Sequence, residues 1–166
     1  MDWSVKARKQ GLLGLEAVAE KEPENFARKG LQLLVDGAET ETIRGVLEVD
    51  LESREQRDLE AAQVFEAMGG YSPTIGIIGA VMGLIQVMTN LTDPSTLGTG
   101  IATAFVATIY GVALANLLFF PIANKMREIV RRRSRYEDMM IDGIIAIAEG
   151  ENPRSIEMRL RGFVQS

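Results

Sequence analysis

The 166-residue sequence contains neither cysteine nor histidine. Without cysteine there is no disulfide and no thiol chemistry. Without histidine the chain lacks the commonest metal ligand and the commonest general base. It also lacks a phosphate-binding glycine loop and a recognisable catalytic pair of acids. We therefore expect a protein that is not an enzyme and that binds no cofactor and no metal ion.

Charge is missing from a long central stretch. Between Glu66 and Lys125 the only charged residue is Asp93, which separates a run of 26 residues (67–92) from a run of 31 (94–124). A helix needs about 20 apolar residues to cross the hydrocarbon core of a bilayer. Two such runs around a short Asp-Pro-Ser-Thr turn predict a transmembrane hairpin.

The charges that are present predict how this hairpin is oriented. Acidic residues outnumber basic ones, 23 to 18, which is not the balance of a nucleic-acid-binding protein. Basic residues follow the second run directly, at Lys125, Arg127, Arg131, Arg132, Arg133 and Arg135. Basic residues beside membrane spans remain on the cytoplasmic side. Both ends of the chain are therefore predicted to be cytoplasmic, and the turn at Asp93 faces outward.

Helical periodicity accounts for the remaining residues. Predicted helices cover residues 3–20, 24–36, 40–68, 125–148 and 153–164, and the two spans cover 74–91 and 97–124. The fold class is therefore all-α, an integral membrane helical hairpin with a cytoplasmic helical domain. We divide the chain into a cytoplasmic helical region (1–70), the hairpin (71–124), and a cytoplasmic helical extension with a C-terminal helix (125–166).

Glycine and proline mark the predicted helix ends. Gly37 fits a C-terminal cap, and Asn152-Pro153 is typical of a cap followed by the first residue of a helix. Gly69-Gly70 and Pro73 are expected to interrupt the chain before the first span. Pro121 lies inside a helical stretch and is expected to kink it. The kink is either static or a hinge.

Small residues repeat along one face of each span. They are Gly76, Gly79, Ala80 and Gly83 in the first, and Gly100, Ala104, Ala107, Thr108, Gly111 and Ala115 in the second. Such stripes allow helix backbones to approach closely in lipid. They predict packing within the hairpin or, alternatively, packing against other subunits around a narrow pore.

Polar residues within the spans are few: Gln86, Thr103, Thr108 and Asn116. Each threonine hydroxyl either bonds a carbonyl one turn back or faces an ion path and helps to coordinate a cation. Neither span contains a carboxylate. If the protein moves protons or sodium, the titrating acid must come from a partner chain.

The stretch YSPTIGIIGAVMGLIQVMTNLTDPSTLGTGIATAFVATIYGVALANLLFFPIANKM, which begins at Tyr71, resembles the third and fourth membrane helices of MotA-type flagellar stator subunits. The upstream segments ARKQGLLGLEAVAEKEP and GLQLLVDG and the downstream segment AIAEGENPRSIEMRL continue the resemblance in the same order. The resemblance thus covers nearly the whole chain. MotA-type subunits are related to the TolQ and ExbB proteins.

The resemblance implies an ion-conducting stator subunit of the bacterial flagellar motor, located in the bacterial inner membrane. Proton or sodium flow through a MotA–MotB channel would drive rotation of the rotor. The implied assembly is a ring of five copies in the lipid bilayer around two MotB-like chains. The MotB-like partner would supply the ion-carrying aspartate, and the rotor protein FliG would receive the torque.

The resemblance also implies roles for individual residues in the spans. Thr108 lies near the ion path in the family, and Thr103 is a second hydroxyl candidate for it. Sodium-driven members commonly have threonine at the position of Ala80, so alanine indicates protons. Pro73 and Pro121 would couple ion passage to movement.

The family's torque-generating charges correspond to Arg8 and Glu16. These two residues are eight apart in sequence. On a continuous helix that separation is about 800°, which places them within about a quarter turn of each other. Exposed ion pairs are worth roughly 0–1 kcal/mol, so a stepping contact made by such charges breaks as easily as it forms.

Two alternatives to a complete stator subunit stay open at this point. One is a TolQ/ExbB-like subunit that uses proton-motive force to energise a periplasm-spanning partner. MotA-type subunits have two further membrane helices before the cytoplasmic segment, and this sequence begins just after the position where they would end. The other alternative is therefore a fragment that keeps only the inner hairpin.

Overall fold

The computed structural model describes residues 2–89 and 94–164, and every regular element in these ranges is helical. In chain order the elements are α1 (Asp2–Gln10), a 3-10 turn (Leu12–Leu15), α2 (Glu16–Lys21), α3 (Asn25–Val35), α4 (Thr40–Thr89), α5 (Pro94–Ala113), a π-helical segment (Leu114–Phe119), α6 (Phe120–Ala148) and α7 (Pro153–Val164). The all-α prediction is confirmed. The turn at Asp93 lies outside the described residues.

The chain divides into two compact units. The core unit comprises Met1–Gln56 and Val130–Ser166, and the hairpin unit comprises Arg57–Ile129. Each has its own packing and is described separately.

Apolar side chains at helical spacing form the interior of the core unit. The largest fully buried ones are Leu15, Phe26, Leu31, Leu34, Ile43, Leu47, Ile141 and Ile144. They come from α3, from the first turns of α4 and from the last turns of α6, and the 3-10 turn contributes Leu15. Their burial removes apolar surface from water, which is the main favourable term in folding.

One carboxylate is buried close to this interior. Glu137 is 2% exposed and accepts a hydrogen bond from Nε of Arg133, one turn earlier in α6, at 3.1 Å. The charge of Glu137 also affects the nearby carboxyl of Glu24. Its own burial, followed by the charges of Glu137 and Glu22, raises the pKa of the Glu24 carboxyl. Burying a carboxylate is costly unless it is paired, and Arg133 provides that pairing.

The glycine cap predicted at Gly37 is confirmed, and Gly150 forms a second one that was not predicted. Gly37 has φ 72°, the N–H of Gly37 donates to the carbonyl of Leu34 at 3.2 Å, and the N–H of Ala38 donates to Leu33 at 3.1 Å. This pair of bonds is the Schellman motif, which satisfies the last carbonyls of a helix. Gly150 ends α6 in the same way, with φ 72°.

The start of α7 follows directly after that second cap. Oδ1 of Asn152 accepts a hydrogen bond from the backbone N–H of Arg154 at 3.1 Å. Pro153 is the first helical residue, where its missing N–H costs nothing. The predicted Asn152-Pro153 start is confirmed.

The predicted single helix over residues 3–20 is wrong. Gly11 has φ 74°, a left-handed conformation that glycine adopts without strain. Gly11 ends α1, and the 3-10 turn then leads into α2. Arg8 and Glu16 therefore lie on different helices.

The expected interruption at Gly69-Gly70 and Pro73 is also wrong, because α4 continues through all three residues. Proline removes one backbone hydrogen bond from a helix interior but does not always end the helix. Gly69 has a packing role here, since a Cβ at this position would lie 2.7 Å from Cε1 of Phe120. Tertiary contact thus outweighs the local preference against helix.

Pro121 is preceded by a change in helix type. The π-helical segment ends two residues earlier, and the N–H of Phe120 donates to the carbonyl of Ala115, five residues back. A proline clashes with the carbonyl four residues before it, which is that of Leu117. Leu117 lies within the π-helical segment. The disturbance of the helix that is expected at Pro121 therefore takes the form of this segment.

Candidate functional site

Glycine brings α4 and α5 into backbone contact within the hairpin unit. A Cβ on Gly76 would lie 2.9 Å from the carbonyl oxygen of Ala107, and one on Gly83 would lie 3.3 Å from the backbone N of Ala104. A Cβ on Gly79 would lie 3.0 Å from Cβ of Ala107. The small-residue stripes therefore face each other, which confirms packing within the hairpin.

The other faces of these helices are apolar and exposed. The exposed side chains include Ile75, Ile77, Ile78, Met82, Ile85, Met88, Phe105, Ile109, Tyr110 and Leu117. The helices Thr40–Thr89 and Leu97–Ala148 are long and apolar enough to cross a membrane. Within the apolar 18-residue stretch of each helix, only 22% and 11% respectively is buried. A core helix of a soluble protein would be mostly buried. This surface instead suits a lipid or protein environment.

We call the close contact of α4 with α5 at Gly76, Gly79 and Gly83 the glycine seam. Ala80 and Thr108 line one groove beside it. Its volume is about 180 Å³, and its other lining residues are Leu84, Ile101, Ala104 and Phe105. The hydroxyl of Thr108 donates to the carbonyl of Ala104 at 3.1 Å, so its oxygen keeps lone pairs for a further ligand. Ala80 adds no polar atom from its side chain. The groove is thus apolar with one hydroxyl.

Thr103 does not line this groove. It is exposed, and its hydroxyl donates to the carbonyl of Thr99 at 2.8 Å. Thr103 and Thr108 are five residues apart, so they point about 140° away from each other around α5. The structure therefore brings Ala80 and Thr108 together and places Thr103 on a different face.

The groove contains no group that titrates near neutral pH. Its six lining residues are alanine, threonine and large apolar residues. A hydroxyl can coordinate a cation or pass a proton, but it does not hold a proton as a carboxylate does. Ion chemistry at this surface therefore requires an acid from outside the groove.

Pro73 and Pro121 belong to helices that meet close to both prolines. The contact is made by Gly69, four residues before Pro73, and by Phe120, which directly precedes Pro121. A second groove of about 610 Å³ lies on this side of the seam and is lined by Met68, Tyr71, Ser72, Ile75, Gly76, Gly79, Ala107, Tyr110, Gly111, Leu114 and Phe119. The two prolines thus flank one contact between α4 and α6.

Arg8 and Glu16 are both exposed in the core unit. Arg8 lies in α1 and Glu16 is the first residue of α2. Because Gly11 breaks the helix between them, the quarter-turn relation derived from a continuous helix does not apply.

An ion pair between Glu66 and Arg127 was not predicted from the sequence. Nη2 of Arg127 donates to Oε2 of Glu66, and the two side chains are 29% and 45% exposed respectively. A signal for it existed. Glu66 is the last charge before the first run and Arg127 one of the first after the second, so an antiparallel hairpin places them at the same level.

Together these features define a class: an all-α membrane protein with a glycine-sealed hairpin and an apolar groove that contains one hydroxyl. Residues 18–139 match the model of the MotA/TolQ/ExbB proton channel family. The chain belongs to the MotA/TolQ/ExbB proton channel family. The two runs therefore belong to a protein of the bacterial inner membrane.

Comparison with individual proteins gives the same family. The chain is 36% identical over 159 residues to Motility protein A of Bacillus subtilis, covering 96% of this chain and 59% of the relative. The structure of C. jejuni MotAB matches with a TM-score of 0.94 at 33% identity, over 98% of this chain and 64% of the other. The flagellar MotAB stator complex from Bacillus subtilis matches with a TM-score of 0.90 at 36% identity, over the same shares. The chain thus spans about six tenths of the length of these relatives.

Proposed function

We propose that this chain is an ion-conducting stator subunit of the bacterial flagellar motor, which couples proton flow to torque on the rotor. The main support is the likeness to the MotAB chain, with a TM-score of 0.94 over 98% of this chain. The apolar groove adds a chemical argument. A proton path along it needs a carboxylate that its lining residues do not supply, and a MotB-like partner with an aspartate would supply one.

In this proposal Thr108 and Ala80 face the ion path. The Thr108 hydroxyl retains lone pairs toward the groove, and Ala80 leaves space beside it. Alanine at position 80 favours protons over sodium. Thr103 belongs to the proposed path through a neighbouring copy of the chain, since it lies on a different face of α5. Several copies, five in the proposed ring, would cover the exposed apolar faces together with lipid.

The coupling elements lie at one end of the hairpin. Pro73 and Pro121 flank the contact of Gly69 with Phe120, so a change at either proline acts on the other helix through that contact. Arg8 and Glu16 would meet FliG as exposed charges on the core unit. The basic residues after the second run favour a cytoplasmic location for both ends of this chain.

The domain division follows from the same proposal. Residues 1–70 would form the cytoplasmic region, 71–124 the membrane hairpin, and 125–166 the cytoplasmic extension. Of these three segments, 71–124 is the one in which Asp93 is the only charged residue.

Complementation tests the function directly. The complete gene product would be expressed with a MotB-type partner in a motile strain that lacks its own stator. We expect swimming to return, and to be lost when the partner's membrane aspartate is replaced by asparagine. A TolR-type partner serves as the comparison. Failure with the MotB-type partner, together with energisation of the TolR-type partner, would replace the stator function by the TolQ/ExbB-like one.

The rotor contact has its own test. Arg8→Glu and Glu16→Arg should each reduce torque without lowering the amount of protein in the membrane. A matched control is Lys9→Glu, which reverses an exposed charge next to Arg8. Equal losses from Lys9→Glu and Arg8→Glu would show that the total charge matters and that these two positions have no specific role.

A further inference from the structure

The ion pair between Glu66 and Arg127 joins α4 to α6 inside the hairpin unit. Both side chains are partly shielded from water, with 45% and 29% of their surfaces exposed. Opposite charges attract more strongly where the surroundings are less polar than bulk water. The pair also fixes direction, because a guanidinium offers its hydrogen atoms in a rigid plane. It is therefore a stronger link than a fully exposed pair on one helix.

The position of the pair relative to the prolines is symmetrical. Glu66 lies seven residues before Pro73, about 10 Å along α4. Arg127 lies six residues after Pro121, about 9 Å along α6. The contact of Gly69 with Phe120 lies between Glu66 and Pro73 on α4, whereas on α6 Phe120 directly precedes Pro121 and Arg127 follows both. The ion pair thus joins the two helices beyond both prolines, each of which removes a backbone hydrogen bond and makes its helix easier to bend.

This arrangement restricts which bending motions are possible. Bending at Pro73 alone, or at Pro121 alone, separates the helix ends and has to break the ion pair. Bending at both together keeps the pair intact. The π-helical segment next to Pro121 supplies the flexibility on the side of α6, since such segments are frequent at functional bends.

We propose that Glu66 and Arg127 are positioning residues that hold α4 and α6 together, so that bending at Pro73 and at Pro121 occurs as one movement. The proposal extends the proposed stator function and rests on it where torque is concerned. The ion pair itself is a property of the fold and is measurable without a motor.

The test uses charge removal, charge exchange and matched controls in the complete gene product. The test variants are Glu66→Gln, Arg127→Gln and the exchanged pair Glu66→Arg with Arg127→Glu. The controls are Lys125→Gln and Glu128→Gln. Lys125→Gln removes a positive charge two positions before Arg127, and Glu128→Gln removes a negative charge one position after it. Lys125 pairs with Glu128 on its own helix, at 3.5 Å. The controls thus keep the charge change and leave both partners of the pair between Glu66 and Arg127 in place.

The structural measurement is the distance between spin labels at Ala67→Cys and Asn124→Cys. Both positions are exposed, and the sequence has no cysteine of its own to interfere. Labelled chains are diluted with unlabelled ones in lipid nanodiscs, so that each assembly contains one labelled pair. We expect Glu66→Gln and Arg127→Gln to broaden the distance distribution, the exchanged pair to restore it, and the two controls to leave it unchanged.

The functional measurement is torque in the complemented strain. We expect each single variant to reduce torque about two- to fivefold, the effect of losing one partly exposed ion pair. The exchanged pair should recover most of it. Unchanged distances in the single variants, or an exchanged pair that restores neither measurement, would overturn the proposal. So would broadened distances with full torque.

The two proposals fail in different ways. If the parent chain produces no motility with any partner, the stator function is wrong. The distance measurement then still decides whether the ion pair holds the helices together.

Discussion

Gly76 and Gly111 bring the backbones of α4 and α5 into direct contact. A Cβ on Gly111 would lie 2.9 Å from the Cα of Gly76 and 2.6 Å from the carbonyl oxygen of Ser72. Real Cβ atoms essentially never come this close to backbone, which cannot move aside as a flexible side chain can. Close approach of this kind is what small residues permit between membrane helices.

Alanine at Gly76 or Gly111 should therefore separate the two helices. We expect each substitution to lower the free energy of unfolding by about 1–3 kcal/mol, the usual cost of overpacking. The control is Gly98→Ala in α5, where an added Cβ meets nothing within 4 Å. Thermal unfolding of the purified protein in detergent measures the effect. A Gly111→Ala protein as stable as the Gly98→Ala protein would contradict the close backbone contact of α4 with α5 at Gly111.

The two threonines of α5 should differ in function. Thr108→Val removes the hydroxyl from the groove shared with Ala80, and Thr103→Val makes the same change on another face. We expect Thr108→Val to reduce proton flux into vesicles carrying the complete channel by about tenfold, the effect of losing roughly 1.4 kcal/mol. Thr103→Val should cause a smaller loss. Equal losses would contradict the greater role that the groove shared with Ala80 gives to Thr108.

A pH dependence follows from Asp138 in the core unit. Burial, followed by the charges of Glu55, Asp142 and Glu48, raises the pKa of the Asp138 carboxyl above its ordinary value of 3.8. Between the two pKa values the folded state binds more protons than the unfolded state. Protonated Asp138 therefore stabilises the fold fully below pH 3.8, and this contribution is lost as the pH rises through the folded pKa.

The substitution Asp138→Asn should remove this pH dependence. We expect a small gain in stability at neutral pH, at most about 0.5 kcal/mol for a largely exposed side chain. Asp142→Asn is the matched control, because Asp142 accepts a hydrogen bond from Nη2 of Arg44 at 3.2 Å and should lose stability. Melting temperatures measured from pH 4 to pH 8 give both results. A destabilised Asp138→Asn protein at neutral pH would show that the charge of Asp138 is favourable.

The core unit should depend on Leu47 and tolerate change at Val49. Leu47 is 0% exposed in the interior, and Val49, two residues later on the same helix, is 67% exposed. We expect Leu47→Ala to cost about 2–5 kcal/mol of stability. Val49→Ala should change stability by less than about 0.5 kcal/mol. Denaturant or thermal unfolding measures the difference, and similar losses for both would place the interior elsewhere.

Local signals in the sequence predicted the helix ends best. Gly37 and Asn152-Pro153 act through their own backbone geometry, so their roles do not depend on distant residues. Gly11 carried the same kind of signal, but the apolar periodicity around it favoured one long helix. Because Gly11 interrupts the helix, the angular relation expected for Arg8 and Glu16 on one helix does not apply.

Tertiary contacts decided what the sequence could not. Gly69, Gly70 and Pro73 all favour a break, yet α4 continues because Phe120 packs over Gly69. Charge patterning predicted the hairpin, but no local rule separated Thr103 from Thr108 until the seam fixed the faces of α5. The link between Glu66 and Arg127 likewise requires the register of the two helices.

The π-helical segment Leu114–Phe119 acts as a phase shift within the hairpin unit. A π turn contains one residue more than an α turn, so it rotates the helix before it by about 100° relative to the helix after it. Thr108 precedes the segment and Arg127 follows it. Deleting one residue here would leave an uninterrupted α-helix, and Arg127 could face Glu66 only if Thr108 turned out of its groove. The length of the chain between Thr108 and Arg127 is therefore as constrained as the identity of either residue.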